Sequence, residues 1–382
     1  MPPAPTALSP LVLPEDAPIG RESPRPPHLR NARYADQFDR DTLFYDIYRV
    51  GRDVVFQGPP LFNLAGPLLA DPLFRNPWGP LFARARRIER NRASEIWLRS
   101  DAERIELDGP LGRFSAHVQP NLSELFARRR VIHTLSKDNE VRWIADWIRY
   151  YRQVHGADGV LFYDNASTAY DAAGLEAELR AAFPDVAIAV VHWPYRYGPQ
   201  GGLAGAVDGV EAPWDSDYCQ TGSMQHARLR FLRSARSVLN VDIDELVVGP
   251  TSIFEAAERS KSGFVKFSGR WISSMTASPL APGTSRHADF TLRDAQETEV
   301  CPPKWCVVPA KADERRHTWS VHNLFGSKAN RRIDPAFAYC HLKGISNNWK
   351  YDRQADGAFD PARFSQDAEL AAALEQAGLR GG

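Results

Sequence analysis

The segment Leu239-Asn-Val-Asp-Ile-Asp-Glu-Leu-Val-Val248 places two carboxylates, Asp242 and Asp244, where a buried apolar run ends. Residues 237–241 are predicted to form a strand that is covered on both faces, as in a parallel sheet. Because side chains alternate along a strand, both carboxylates should lie on one face as the run meets solvent. Carboxylate oxygens and water are the ligands that Mg²⁺ and Mn²⁺ prefer. The segment therefore predicts a divalent-cation site that can hold the two phosphates of a nucleotide diphosphate.

A strand, a helix and a second strand precede this segment. Residues 131–135 and 159–163 have the length and composition of buried strands, and apolar residues recur at helical spacing over 141–154. This succession indicates a right-handed crossover between parallel strands of one sheet. Ligands of open α/β sheets bind outside the carboxyl ends of the strands. We therefore expect three strand ends to meet in one crevice, namely residues 134–137, 164–167 and 242–244.

Short motifs follow one another in a definite order between about residues 130 and 353. They are Lys137-x-Asn-Glu140, Asp146-Trp147, Tyr163-Asp-Asn-x-Ser167, Trp193 with Gly198 and Gln200, Asp242-x-Asp-Glu245, Pro303-Lys-Trp305, Val321-His-Asn323 and His341-Leu-Lys-x-x-Ser346. In this order they resemble the GT-A glycosyltransferases of family 2 and, more closely, of family 92. One departure is Leu342-Lys343, where the family usually has an aromatic residue and an arginine after its last histidine.

The resemblance implies a GT-A-like, Rossmann-like fold: a mostly parallel α/β sheet flanked by helices, preceded by a small β-rich module. It implies a metal-dependent enzyme that transfers a hexose from a nucleotide sugar to a saccharide or glycolipid acceptor, with inversion. Mn²⁺ or Mg²⁺ would be held by Asp242, Asp244 and His322, and Asp242 would also contact the ribose. The residues expected to bind the donor are Thr134, Lys137, Asn139, Glu140, Asp164, Asn165, Gln200, Arg228, Lys304, His341 and Lys343.

Within this set, the resemblance assigns the nucleoside to Asn139 and Asp164, and the charge of the leaving diphosphate to Lys304 and Lys343. The predicted donor is a uridine-diphosphate hexose, with galactose and glucose as the leading candidates. The predicted role is synthesis of a bacterial surface polysaccharide or glycoconjugate. An inverting enzyme needs a general base near the acceptor hydroxyl. The sequence leaves several candidates for it: Asp289, Glu297, Glu299, Asp313 and Glu314.

Two other classes of protein remain open. A nucleotidyltransferase that makes a sugar nucleotide also needs an acidic metal pair. It would be expected to have a glycine-rich, basic loop after its first strand, unlike Leu135-Ser-Lys-Asp-Asn139. A non-catalytic glycan-binding protein could keep the same fold and aromatic residues. It would not require Asp242, Asp244 and His322 to lie together.

Composition agrees with a globular protein that has no nucleic-acid partner. The chain has 382 residues, of which 43% are hydrophobic, which suffices for two cores. Its 47 basic and 47 acidic residues give no net charge. Four cysteines without a Cys-x-x-Cys pair indicate a reducing compartment. With neither a membrane-length apolar run nor a signal peptide, we expect a cytoplasmic location, and peripheral association with the inner face of the membrane stays open.

The composition also changes along the chain, which predicts four segments. Residues 1–30 are rich in proline and are expected to be disordered. Short alternating runs over 40–122 predict a β-rich accessory module. The GT-A domain is expected over 128–353, and residues 354–382 should form a C-terminal helix and tail.

Overall fold

The structure is a computed structural model that describes residues 6–75, 85–199, 205–207, 210–212, 215–276, 280–281, 283–347 and 360–380. The strands in these ranges are β1 (Leu11–Val12), β2 (Thr42–Phe44), β3 (Asp46–Val50), β4 (Asp53–Gly58), β5 (Ala85–Arg90), β6 (Ala93–Arg99), β7 (Arg104–Gly109), β8 (Gly112–His117), β9 (Arg130–Ser136), β10 (Gly159–Asp164), β11 (Ala187–His192), β12 (Gly205–Val207), β13 (Val210–Ala212), β14 (Ser237–Asn240), β15 (Glu245–Val248), β16 (Phe264–Ile272), β17 (Leu292–Asp294), β18 (Cys301–Val307), β19 (Thr318–Trp319), β20 (Leu324–Phe325), β21 (Ala338–Leu342) and β22 (Phe364–Gln366). The α-helices are α1 (Tyr34–Gln37), α2 (Ala65–Leu69), α3 (Val141–Tyr150), α4 (Ala172–Ala182), α5 (Tyr218–His226), α6 (Ile253–Arg259) and α7 (Ala368–Gln376).

The chain divides into two compact units. Unit 1 comprises residues 1–124, 193–231 and 318–320, and unit 2 comprises residues 125–192, 232–317 and 321–382. Unit 1 therefore takes in residues 193–231 as well as the expected β-rich module. Asp242 and Asp244 belong to unit 2.

Unit 1 is built on antiparallel strands. Its largest sheet has the order β3-β4-β6-β5, and β1–β2, β7–β8 and β12–β13 form separate antiparallel pairs. A cluster of buried apolar residues that includes Phe44, Ile47 and Phe56 forms its core. Buried charge accompanies this core, since the carboxylate of Asp46 accepts hydrogen bonds from His226 at 2.8 Å and Arg230 at 2.7 Å.

The proline-rich segment at the start of the chain has specific contacts in unit 1, in contrast to the expected disorder. Leu11 and Leu13 are buried, and β1 pairs with β2. The guanidinium of Arg21 donates to the backbone carbonyl of Asp39 at 2.6 Å, and that of Arg25 pairs with Asp215 at 2.6 Å. A few apolar and arginine side chains thus anchor a segment whose average composition suggests no core.

The main sheet of unit 2 is mixed, so the predicted GT-A-like, mostly parallel sheet flanked by helices is wrong. The order of its strands is β11-β10-β9-β14-β18-β16-β21-β15. The first four strands are mutually parallel. β18 then runs antiparallel to both β14 and β16, β16 pairs in parallel with β21, and β15 is antiparallel to β21.

The error arose in the second half of the sheet. Apolar runs identify buried strands but do not say which strands pair or in which direction. The motif Pro303-Lys304-Trp305 forms part of β18 and pairs with β14. The residues directly after Asp244 form the edge strand β15.

Several individual elements of unit 2 are confirmed. β9, β10 and β14 occupy the predicted strands, and the predicted helix after residue 140 is α3, which continues as one π-helical turn, Tyr151–His155. Buried residues of α3, α4, α6 and α7 belong to a single hydrophobic cluster with one set of sheet side chains, including Ile132, Phe162 and Leu239. The four cysteines are buried free thiols. Among the described residues, no helix has the length and apolarity needed to cross a bilayer.

Candidate active site

The candidate site lies at the carboxyl end of β14, next to β9. The chain leaves β9 to form β10 and β11 on one side, and it returns to form β14 on the other side of β9. Where a parallel arrangement reverses its direction of winding in this way, the two loops diverge and leave a crevice. Residues 137–140 and 242–244 follow these two strands.

The backbone of the Asp242–Ile243–Asp244 turn is fixed by hydrogen bonds. The carboxylate of Glu245 accepts the N–H of Asp242 at 2.9 Å. The carbonyl of Asp244 accepts the N–H of Leu342, on β21, at 2.8 Å. Because hydrogen bonds hold both ends of the turn, the backbone of Asp242 and Asp244 is fixed relative to the sheet.

Asp242 lies against a buried lysine. The ammonium of Lys304 is 2.9 Å from Asp242 Oδ2 and 2.9 Å from Glu245 Oε2, and Lys304 and Glu245 are each only 1% exposed. Burial raises the pKa of Glu245 to about 7, with Asp242 also raising it and Lys304 opposing the rise. Burial by itself would lower the pKa of Lys304, but the two carboxylates outweigh it and raise the pKa. The positive charge of Lys304 therefore stabilises residues 242–244, which are called the acidic turn below.

Asp244 lies against an imidazole and an indole. Nε2 of His341 is 3.2 Å from Asp244 Oδ2, and the His341 ring stacks on Trp271 with 4.1 Å between centroids. The ammonium of Lys343 is 5.6 Å from the Trp271 ring centroid and 2.6 Å from Glu297 Oε2. Trp271 thus uses one ring face on His341.

His322 is held beside the same strand end. The Asn240 side-chain amide donates to the carbonyl of Val321 at 2.9 Å, which fixes the residue before His322 to the last residue of β14. Nδ1 of His322 is 3.1 Å from the carbonyl of Pro303, and Lys304 follows directly with its ammonium on Asp242. Because a carbonyl only accepts, Nδ1 of His322 carries a proton.

A hard divalent cation at this turn would have few protein ligands. No group of three or more His, Cys, Asp and Glu side chains in a metal-binding arrangement is found within the described parts of the chain. A histidine that ligates a metal through Nε2 characteristically donates its other ring N–H to a carbonyl, as His322 does. Asp244 supplies carboxylate oxygens, and a bound diphosphate with water would supply the remaining ligands.

The loops after β9 and β10 form the facing wall. Asp138 and Ala166 both have left-handed backbone conformations, with φ of 50° and 54°. Asp138 Oδ1 accepts the N–H groups of Thr168 at 2.5 Å and Ala169 at 3.0 Å. The Asn139 amide donates to Ser136 Oγ at 2.7 Å.

The other residues predicted to bind the donor occupy varied environments. Thr134 and Asn165 are buried, and the buried carboxylate of Asp164 accepts the N–H of Ser167 at 3.3 Å. The backbone carbonyl of Lys137 accepts the side-chain amide of Asn347, and the exposed Glu140 pairs with Arg142.

Two of the residues predicted to bind the donor, Arg228 and Gln200, are not among the described residues of unit 2. Arg228 lies in unit 1, where its guanidinium is 2.8 Å from Glu95 and it is buried. Gln200 lies outside the described residues. The proposed donor site therefore rests on the residues of unit 2 alone.

The candidates for the general base are separated by their contacts. Glu297 is linked to Asp244 through Lys343, Trp271 and His341. By contrast, Asp289 accepts the N–H of Arg286, Asp313 accepts those of Arg315 and Arg316, and Glu314 pairs with Arg233. The N–H of Glu299 donates to Glu297 Oε1 at 2.7 Å.

Sequence reasoning gave no role to Glu245, Asn240 or His287. Glu245 directly follows Asp244 in the segment, so its place in the turn could have been inferred from proximity. His287 is an isolated histidine in a loop, and nothing in the sequence connects it to Ile243, whose carbonyl its Nε2 contacts at 2.8 Å. Comparison with models of protein families and with curated proteins finds no match to this chain.

Proposed function

We propose that this protein is a glycosyltransferase that uses Mn²⁺ or Mg²⁺ to transfer a hexose from a uridine-diphosphate sugar to a saccharide or glycolipid acceptor. The observation that carries this proposal is the convergence of remote segments at the end of β14. Asn240 and Pro303 hold the segment of His322 at this strand end, Lys304 contacts Asp242, and His341 contacts Asp244 from β21. This supports a site for an anionic ligand that binds together with a cation.

The arrangement of charged side chains around Asp242 and Asp244 supports a donor that carries a diphosphate. A divalent ion bound at Asp244 and His322 would act as a Lewis acid on the departing diphosphate. Lys304 holds Asp242 in place, because its ammonium contacts both Asp242 and Glu245. On the facing wall, Asn139 and the loop built on Asp138 would hold the nucleoside.

The acceptor would approach along the contacting side chains of His341, Trp271, Lys343 and Glu297. Among the acidic candidates, Glu297 is connected to the Asp244 side chain through stacked and charged groups, so we assign it to the acceptor side of the site. Lys343 holds the Glu297 carboxylate at 2.6 Å. An inverting reaction needs such a carboxylate within hydrogen-bond reach of the acceptor hydroxyl.

Replacing His322 by alanine tests the proposal through ligand binding. We expect Mn²⁺ with uridine diphosphate to raise the melting temperature of the unaltered protein by ligand linkage. In His322→Ala, on the order of 10-fold more Mn²⁺ should be needed for the same shift, because one ligand is lost. Melting of the metal-free variant should change little, since His322 is only partly buried.

His317→Ala provides the control for this titration. His317 is also partly buried in unit 2, and its Nδ1 accepts the N–H of Asp313, but it has no place in the proposed site. Its replacement should leave the Mn²⁺ titration unchanged. A clear loss of metal-free stability in His322→Ala, together with an unaltered Mn²⁺ titration, would instead make His322 a structural histidine.

A further inference from the structure

A fully buried histidine contacts the middle of the acidic turn. His287 begins a short 3₁₀ turn, His287–Asp289, and its Nε2 lies 2.8 Å from the carbonyl of Ile243, between the two aspartates. Because the carbonyl only accepts, Nε2 must carry the proton. Burial lowers the pKa of His287, so the ring is neutral and Nδ1 bears a lone pair.

The contact completes the support of the turn. Asp242 N–H is held by Glu245, and the Asp244 carbonyl is held by Leu342. His287 fixes the Ile243–Asp244 peptide, which lies between these two points of support. Its hydrogen bond therefore acts on the orientation of Asp242 and Asp244 without touching either carboxylate.

His287 is itself anchored to α3. The preceding residue, Arg286, pairs with the buried carboxylate of Asp146, with its Nε 2.6 Å from Oδ2. The N–H of Arg286 donates to Asp289 Oδ2 at 2.7 Å, which closes the short turn. Nδ1 of His287 lies 4.0 Å from Asp146 Oδ2. The imidazole is thus placed by a helix distant in sequence from the acidic turn.

We infer that His287 is a positioning residue that presets the Asp242–Asp244 turn for binding a divalent cation, through its hydrogen bond to the Ile243 carbonyl. This inference rests on the proposed function. Groups that orient metal ligands from outside characteristically change metal affinity by about 10- to 100-fold when they are removed. His287 should behave in the same way.

Two substitutions of His287 separate the hydrogen bond from the volume of the side chain. His287→Leu fills the space without a donor, whereas His287→Gln offers an amide N–H at about the reach of Nε2. We expect His287→Leu to weaken Mn²⁺ binding, measured by calorimetry on the whole protein, by on the order of 10-fold. His287→Gln should restore most of that affinity.

His155→Leu is the matched control. His155 is equally buried in unit 2, and its Nε2 lies 2.8 Å from the carbonyl of Val247, which is outside the acidic turn. Its Nδ1 accepts the N–H of Ile253 at 3.3 Å, so its loss should lower the melting temperature at least as much as the loss of His287. Mn²⁺ affinity should nevertheless stay unchanged in His155→Leu.

Each outcome of this experiment has a defined meaning. Weakened Mn²⁺ binding in His287→Leu, with recovery in His287→Gln and no change in His155→Leu, supports the inference. Equal weakening in both leucine variants, or none in His287→Leu while the unaltered protein binds Mn²⁺, overturns the inference and leaves the proposed function in place. If His287→Leu does not fold, failure of folded His287→Gln to keep near-normal affinity overturns it. Absence of Mn²⁺ binding by the unaltered protein overturns both.

Discussion

Asp244→Asn is expected to lower turnover of the sugar nucleotide by on the order of 100-fold or more. The substitution keeps the size and shape of the side chain but removes the charge that the proposed cation needs. The site lies at the end of a sheet, and Asp244 is packed against His341 and not in the hydrophobic cluster. The melting temperature should therefore change little, and steady-state kinetics alongside thermal melting measures both quantities.

Asp185→Asn is the control for this variant. It removes the same charge from an exposed side chain that pairs with Arg152, between α4 and β11 at the amino end of the strand. Its kinetics should match those of the unaltered protein. If Asp244→Asn keeps most of the activity, the assignment of Asp244 as a metal ligand is wrong.

Lys304→Met is expected to destabilise the protein by about 3 to 5 kcal/mol, because it leaves the buried carboxylate of Glu245 and the partly buried one of Asp242 without their partner. Burial raises the pKa of Glu245 to about 7, so Glu245 favours folding when protonated, and this contribution is lost as the pH rises through about 7. The loss caused by Lys304→Met should thus be smaller in mildly acidic than in mildly alkaline buffer. Urea unfolding followed by circular dichroism at several pH values measures it.

Two further variants test the explanation. Adding Glu245→Gln to Lys304→Met removes the buried charge and should recover part of the stability. Lys343→Met breaks a lysine–glutamate pair that is more exposed, with 19% of the Lys343 side chain accessible, and should cost about 1 kcal/mol or less. If both lysine variants lose equal stability, the buried charge at Lys304 is not what matters.

The sequence predicts the first half of the main sheet well because local patterns determine it. β9, β10 and β14 are apolar runs with crossover segments between them, and each lies within a few residues of its predicted range. β18, β21 and β15 pair across long stretches of chain, and the sheet therefore becomes mixed. Pairing of this kind depends on contacts between remote residues, which periodicity does not contain.

In the candidate site, too, the local pattern was predicted and the contacts between remote residues were not. Asp242 and Asp244 follow from one segment, and their place at the end of β14 agrees with the sequence pattern. The partners of that segment come from elsewhere: Lys304 from β18, His341 from β21 and His287 from a short turn. The sequence assigned the Lys304 charge to a diphosphate, whereas the structure places it on Asp242 and Glu245, a pairing that only the tertiary fold creates.

Hydrolysis of a panel of nucleoside-diphosphate sugars, measured with added Mn²⁺ and again with a chelator, tests the central claim most directly. Water takes the place of the acceptor in this assay, so no acceptor needs to be known. We predict release of uridine diphosphate from uridine-diphosphate galactose or glucose, dependent on Mn²⁺ and abolished by chelation. Failure to hydrolyse or bind any sugar nucleotide of the panel in the presence of Mn²⁺ would contradict the account.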